Sequence, residues 1–200
     1  MVGEKISIDQ LRVVKLGSKS KDPLEKFETD TKELKDFLVE DATNNHSIAI
    51  STTYLWFYNP DNKLVGYITL LTDSIRVHGT QLGRSFVDKG IEYKALPAIK
   101  IGRMCVDKNY ASKGVGTYMM HFAMKLLLEI NEKAGCRFLV LDAKTQTNAA
   151  RFYKKFGFDV LKQREKGTIP MFLDMIKYIE YYREGKKKLR PSSIIEEASR

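Results

Sequence analysis

Residues 109–120, NYASKGVGTYMM, place Gly114 and Gly116 between an apolar run and a long amphipathic run. The apolar run has the content of a β-strand, and the amphipathic run has the spacing of an α-helix. Glycines at such a turn let backbone N–H groups approach an anion at the helix N-terminus. The stretch therefore predicts an anion-binding turn at residues 112–117, although a plain strand-to-helix connection fits the glycines equally well.

The amphipathic run after Gly114 carries one continuous apolar stripe, which is the buried face of a predicted helix. Glycine commonly ends a helix, so this helix is predicted to stop at Gly135. His121 falls on the opposite face, where it is predicted to be solvated rather than to act as a ligand or a base. The stripe consists of Val115, Tyr118, Met119, Phe122, Ala123, Leu126, Leu127 and Ile130.

Two familiar phosphate-binding motifs do not fit the turn. A P-loop has the pattern GxxxxGK[ST], whereas Lys113 precedes the first glycine here and Thr117 follows the second. A dinucleotide fingerprint needs a third small residue where this chain has Met119. The dinucleotide fingerprint also lies near the beginning of its domain, whereas this turn lies in the middle of the chain. The turn therefore belongs to a different kind of site.

The strand signals are short apolar and β-branched runs separated by polar turns. The second and third runs are joined by NPDN at residues 59–62, which is strong turn chemistry and predicts a β-hairpin. Residues 73–96 are mixed and are predicted to be a loop or short helix at the mouth of the site, shaping the acceptor side. The predicted strands are residues 6–16, 49–58, 63–72, 97–107, 136–143 and 169–176.

Two further segments have sequence signals of a helix. Asp30, with Glu33 three residues later, has capping-box spacing and predicts the start of a short helix. A further helix is predicted from Thr147 to a stop at Gly157. Strand, glycine turn, helix and strand in succession make a βαβ-like unit that follows antiparallel hairpin strands. The fold class is therefore α/β or mixed α+β, with one domain over residues 1–180 and a basic tail at residues 181–200.

Composition indicates a globular protein with a positive net charge. The chain has 200 residues, and 34 Lys and Arg against 25 Asp and Glu leave a formal charge of +9. Positive charge attracts polyanions such as RNA or the phosphates of coenzyme A. The basic run at residues 185–190 is either a solvated tail or a nucleic-acid contact.

Compartment and metal content follow from what the sequence lacks. There is no run of roughly 20 apolar residues for a membrane span and no apolar leader. Cys105, Cys136 and three scattered histidines form no zinc-ligand pattern, so no metal is expected. The cysteines are predicted to be free thiols, and the protein is expected to be cytoplasmic.

Two blocks carry a resemblance to a known family: MCVDKNYASKGVG at residues 104–116 and NAARFYKKFGF at residues 148–158. Together they resemble the GNAT superfamily of acyl-CoA-dependent N-acetyltransferases. Two positions depart from the family pattern. Ala111 stands where the family has a basic residue or glutamine, and Gln146 aligns with the family asparagine while Asn148 lies two residues later. The matching residues are Met104, Cys105, Val106, Gly114, Gly116, Ala149, Tyr153, Gly157 and Phe158.

The resemblance implies a GNAT-like mixed sheet and transfer of an acetyl group from acetyl-CoA to a primary amine. It implies that the backbone of Met104–Val106 pairs with pantetheine and that Tyr153 is the general acid; a core tyrosine beside Phe152 and Phe156 is the alternative. Asp107 is more typical of a surface or capping residue than of a base. Cys105 as an acyl-carrying nucleophile is a further alternative, but no histidine is placed to activate it. The implied cofactor-binding residues are Met104, Cys105, Val106, Ala111, Ser112, Lys113, Gly114, Val115, Gly116, Thr117, Gln146 and Asn148.

A weaker likeness covers the N-terminal half. FETDTKELKDFLVEDA at residues 27–42 and TTYLWF at residues 52–57 are similar to the GNAT toxins that acetylate aminoacyl-tRNA. A small amine, a protein lysine or a protein N-terminus stays open as acceptor, and a homodimer is allowed. The rival classes are a catalytically weak GNAT-like module that binds RNA or protein, and a structural protein with a coincidental glycine turn.

Overall fold

A computed structural model describes residues 4–17, 22–145, 148–161 and 167–189. Within these ranges, the strands form one sheet in the order β1-β2-β3-β4-β5-β7-β6. The strands are β1 Leu11–Lys15, β2 Thr52–Tyr58, β3 Lys63–Arg76, β4 Ala95–Val106, β5 Phe138–Lys144, β6 Asp159–Val160 and β7 Thr168–Asp174. The helices are α1 Asp22–Glu25, α2 Lys32–Asp36, α3 Ala42–Ser47, α4 Gln81–Val87, α5 Val115–Asn131, α6 Ala149–Lys154 and α7 Ile176–Leu189.

The sheet is mixed, which confirms the predicted fold class. Every neighbouring pair is antiparallel except β4 and β5, which are parallel. The parallel pairing covers Ala98 to Ile101 of β4 and then stops. At that point β3 and β4 shift register, so that Gly102 is an extra residue between Ile101 and Arg103. Such a β-bulge bends its strand, and residues 102–106 of β4 diverge from β5.

Helix α5 packs on one face of the sheet, as the stripe predicts. Val115, Met119, Ala123 and Leu127 are fully or almost fully buried, together with Met120, which the stripe did not include. The helix ends at Asn131, four residues before the predicted stop at Gly135. The Asn131 side chain donates to the carbonyl of Cys136, which turns the chain towards β5. No helix in the described ranges is long and apolar enough to cross a membrane.

The opposite face is covered by a longer helical region than predicted. Helices α2 and α3 are joined without a break by a π-helical segment, Phe37–Asp41. The region begins at Lys32 after Thr31, and the capping box predicted at Asp30 does not form. Burial explains the extent: Phe27 and Leu38 are completely buried against Tyr67, whose hydroxyl donates to the carbonyl of Leu34.

The expectation for residues 73–96 is met in part, because the short helix is present as α4 but both ends of the segment belong to strands. Strand β3 continues to Arg76, helix α4 follows, and β4 already begins at Ala95. Ile75, Val77, Phe86 and Leu96 bury themselves against Phe138 in a separate apolar cluster, because β3 and β4 remain paired there. This cluster lies at the beginning of β4, far along the strand from Met104.

The last described element is α7, which continues past residue 180, the predicted end of the domain. Ile179 is buried in the main core, and Arg183 and Lys186 bind Asn131 and Glu132 at the end of α5. The first part of the predicted tail is therefore helical and packed. Residues 190–200 lie outside the described residues.

The stability of the protein should depend strongly on the packing of α5 in the main core. Leu127→Ala removes a fully buried side chain and leaves a cavity, so we expect the free energy of unfolding to fall by about 3 kcal/mol. The control Lys125→Ala removes a side chain that is 75% exposed, and should change it by less than about 0.5 kcal/mol. Urea unfolding followed by circular dichroism measures both. Equal effects would contradict the assigned burial of this face.

Candidate active site

The diverging ends of β4 and β5 open a cleft of about 440 Å³. Thr31, Glu33 and Leu34 of the α2 region line it from one face of the sheet, and Ala149 and Tyr153 of α6 line it from the other. None of residues 74–96 lines it, so the predicted role of that segment at the mouth is not observed. Asp73, the first residue of that stretch, lies 3.7 Å from the Lys100 ammonium.

The end of β4 offers a backbone edge to this cleft. Met104, Cys105 and Val106 pair with β3 on one side, and no β5 residue pairs with them on the other within the described structure. An extended ligand can add to such an edge as an extra strand. The Cys105 side chain is buried, whereas those of Met104 and Val106 are partly buried, so packing and backbone exposure coexist as expected.

The glycine turn presents free N–H groups at the start of α5. Gly114 has a φ of 92°, a left-handed conformation that glycine adopts without strain. Within the described residues, the amides of Ser112, Gly114, Val115 and Gly116 have no hydrogen-bond acceptor, whereas those of Lys113 and Thr117 do. Unpaired amides at a helix N-terminus form an anion site. Four amides of the predicted turn are therefore available to an anion.

Several contacts at the turn were not predictable from the motif. The carbonyl of Lys113 accepts the Ile6 N–H at 3.0 Å, and the Tyr118 hydroxyl donates to the carbonyl of Ile6 at 3.2 Å. The Lys113 ammonium lies over the Tyr110 ring, 4.8 Å from its centroid. A Cβ at Gly116 would lie 3.4 Å from the Phe152 ring, so this glycine brings α5 close to α6.

Tyr153 lies on α6 and lines the cleft. Its ring packs against Phe152 and Phe158 with centroid distances of 5.3 and 5.7 Å, so it is partly a core residue. Its hydroxyl has no hydrogen-bond partner within the described structure. Removal of water, and secondarily Cys105, raises the pKa of Tyr153 to about 12. The hydroxyl is therefore protonated at neutral pH and can donate a hydrogen bond into the cleft.

Cys105 is a buried thiol with a local partner. It donates to the Thr29 hydroxyl at an S···O distance of 3.3 Å. Burial raises the pKa of the thiol above its ordinary value, although the Thr29 contact opposes this. A protonated thiol is a poor nucleophile, so the acyl-carrying alternative has no support. Within the described residues, no group of His, Cys, Asp and Glu could hold a metal ion.

Charged side chains around the cleft are paired. Lys100 binds Asp142 at 2.9 Å, while Glu33 binds Lys144 at 2.6 Å and lies 3.8 Å from Arg103. The hydrogen bond from Lys144 lowers the pKa of Glu33, which keeps it anionic and makes it a weak base. Sequence spacing gave no signal for this cluster, because its members come from α2, β4 and β5. Arg103 Nε is buried without a partner in the described structure.

Asp107 is completely buried where β4 ends. One carboxylate oxygen accepts the Asn109 N–H at 2.9 Å and so caps the 3-10 turn Lys108–Tyr110. The other accepts the Glu28 N–H at 2.9 Å. The predicted capping role is therefore observed, but the surface position is not, because the Glu28 segment covers the side chain.

The remaining predicted site residues are placed as follows. Ala111 follows the 3-10 turn and is exposed, and Asn148 immediately precedes α6 without a side-chain capping bond. Gln146 lies outside the described residues. Their predicted contacts with a cofactor stay predictions.

Comparisons with known proteins agree with this architecture. The family profile described as "Acetyltransferase (GNAT) domain" matches residues 51–160. The uncharacterized N-acetyltransferase YjcF of Bacillus subtilis (strain 168) is 39% identical over 66 residues, which are 33% of this chain and 43% of that relative. The chain thus matches less than half of that relative's length.

Solved structures share the fold. AtaT complexed with acetyl-methionyl-tRNAfMet gives a TM-score of 0.73 at 22% identity, covering 86% of this chain and 99% of that chain. A mutant AtaT toxin bound to the C-terminus of the antitoxin AtaR and acetyl-CoA gives 0.67 at 22% identity, covering 88% of this chain and 99% of that chain. At these identities the likeness shows the fold alone.

Buried thiols lead to a test of the site chemistry. Cys105 and Cys136 are both free and buried, and burial raises the pKa of each. We expect neither to react with Ellman's reagent at pH 8 in the native protein, and both to react in denaturant. Ser85→Cys, at an exposed position, is the control for a reactive thiol. Rapid reaction of one native thiol that is abolished by Cys105→Ala would restore the nucleophile hypothesis.

Proposed function

The chain belongs to the GNAT family of acetyltransferases, and we propose that it transfers an acetyl group from acetyl-CoA to a primary amine. The observation that carries the proposal is the arrangement of three features. Within the described residues, the β4 edge at Met104–Val106 has no β5 partner, the chain continues from it into a turn with four free amides, and Tyr153 lines the cleft beside this edge.

The chain's own groups fit acetyl-CoA as the acyl donor. The free amides of the turn suit the pyrophosphate, since N–H groups and the helix dipole both favour negative charge there. The β4 edge suits the amide-bearing pantetheine arm, which can hydrogen bond as a strand does. The cleft between Met104 and Tyr153 then receives the thioester.

The reaction needs a neutral amine, a nearby thioester and stabilisation of the leaving thiolate. The amine nitrogen bonds to the acetyl carbon as the carbon–sulfur bond breaks, and the amine loses a proton to water. Tyr153, with a pKa of about 12, is a weaker acid than a thiol, whose pKa is about 8.5. We therefore assign Tyr153 to a hydrogen bond that stabilises the thiolate, rather than to full proton donation.

Aminoacyl-tRNA is the acceptor that we favour within this reaction class. An α-amino group has a pKa of about 8, so water suffices as its base, and both carboxylates of the cleft are paired with cations. The chain carries a formal charge of +9, and α7 exposes Tyr178 and Tyr181 beside its basic residues, which suits RNA. The AtaT structure with acetyl-methionyl-tRNAfMet has the same fold. The homodimer stays a prediction.

The role of Tyr153 predicts a selective loss of rate. Tyr153→Phe removes only the hydroxyl, so we expect kcat to fall by about 100-fold or more, with acetyl-CoA affinity within about twofold of wild type. Because the pKa of Tyr153 is about 12, ionisation of its hydroxyl should not lower the wild-type rate at any pH below about 10. The control is Tyr93→Phe at a residue that is 73% exposed. An unchanged kcat in Tyr153→Phe would remove this residue from the chemistry.

The turn predicts a selective loss of cofactor binding. Gly116→Asp adds a carboxylate beside the free amides and a Cβ 3.4 Å from the Phe152 ring, so we expect the Kd for acetyl-CoA to rise by about 100-fold, or about 3 kcal/mol. Gly116→Ala adds the Cβ without the charge and should raise the Kd much less. Gly135→Asp makes the same charge change where an added Cβ meets nothing within 4 Å. Calorimetric titration measures all three variants.

An acceptor screen follows, with total charged tRNA, free amino-acid amides and a lysine peptide. Acetylation of charged tRNA that weakens steeply with salt supports the favoured acceptor. Salt-dependent RNA binding without acetyl transfer to any amine would replace the enzyme with the binding module. Failure of the folded wild type to bind acetyl-CoA would contradict the proposal.

A further inference from the structure

We propose that Asp107 is a positioning residue that fixes the α2 side of the cleft, which we assign to the acceptor, relative to the anion-binding turn. The proposal rests on the function proposed above. Asp107 touches neither side of the cleft itself and acts through the two segments that its carboxylate joins.

The carboxylate sits between two chain segments that are 79 residues apart in sequence. Its two oxygens each accept one backbone N–H, from Glu28 and from Asn109, both at 2.9 Å. The Asp107 N–H donates to the carbonyl of Val65, which anchors it to β3. A buried carboxylate held by backbone donors on both oxygens has little freedom to move, because losing either bond leaves a buried polar group unsatisfied.

Both backbone groups of Glu28 form hydrogen bonds at this junction. In addition to the N–H bond to Asp107, its carbonyl accepts the Lys108 N–H at 2.9 Å. Its side chain meets Lys108 at 3.1 Å and Asn109 at 3.3 Å, but this contact is half-exposed and contributes little. The backbone bonds therefore dominate the junction.

From Glu28 the constraint passes to the acceptor side of the cleft. The Thr29 hydroxyl accepts from Cys105 on β4 and from the Thr31 N–H at 3.2 Å. Thr31 is the residue immediately before α2, and with Leu34 it lines the cleft. In the other direction, Asn109 leads within a few residues to the free amides of the turn. The buried Asp107 side chain thus connects the anion-binding turn, which we assign to the acyl donor, with the α2 side of the cleft, which we assign to the acceptor.

Hydrogen exchange of the unliganded protein tests the junction without any substrate. In Asp107→Asn one carboxylate oxygen becomes an amide group that cannot accept an N–H. We expect exchange to accelerate about tenfold or more in residues 28–34 and 108–117, with β5 and α5 beyond residue 120 unchanged. Asp88→Asn, an exposed aspartate at the end of α4, is the matched control. Uniform acceleration over the whole chain, or none, would overturn the proposal.

Kinetics test the consequence for transfer. At a temperature where Asp107→Asn is folded, kcat/KM for the best acceptor of the screen should fall about 30-fold, while the Kd for acetyl-CoA changes less than about threefold. A merely structural role would lower the melting temperature and leave both constants at wild-type values. If the wild type acetylates no acceptor, the proposed function is contradicted. The hydrogen-exchange experiment then still tests whether Asp107 holds the two segments together.

A second variant covers the case in which Asp107→Asn does not fold. Thr29→Val keeps the side-chain shape and removes the hydroxyl that joins β4 to the start of α2. We expect faster exchange in residues 28–34 alone, a higher KM for the acceptor and an unchanged Kd for acetyl-CoA. Wild-type exchange and kinetics in this variant would also overturn the proposal.

Discussion

The structure depends on the interruption of pairing between β4 and β5 after Ile101. Two central strands that stop pairing leave backbone N–H and C=O groups without partners, which is costly unless a ligand or water supplies them. The bulge at Gly102 produces the divergence, and an added Cβ there would lie 2.8 Å from Leu71. Pairing of β3 with β4 and of β5 with β7 continues on either side, so the sheet stays intact around the opening.

The chemistry that this opening supports is mostly a matter of placement. The amides of the turn, the β4 edge and the Tyr153 hydroxyl are all held by packed elements before any ligand arrives. The charged side chains that line the cleft lie close to partners of opposite charge. A weak hydrogen-bond donor such as Tyr153 has its greatest effect where burial limits competition from water, and burial is the main cause of its raised pKa.

The sequence predicted the parts that rest on local patterns. The turn at Gly114, the stripe of α5 and the hairpin around residues 59–62 all follow from spacing and turn chemistry, and the family resemblance placed Tyr153 beside the cleft. The helical region before β2 was predicted too short, and residues 73–96 were misplaced, because long-range burial decided both. The junction at Asp107 and the pairing of Glu33 with Lys144 join distant segments, and no local pattern encodes such contacts.

The two bonds of Ile6 to the turn have a consequence for how the site is assembled. The hydroxyl of Tyr118 and its acceptor, the carbonyl of Ile6, are 112 residues apart, so Ile6 is synthesised long before the turn that it contacts. On the ribosome, the turn can close on Ile6 as soon as α5 emerges, while β5, α6 and β7 are still unmade. The phosphate end of the site can therefore form first, and the thioester end is completed only when the C-terminal third of the chain is released.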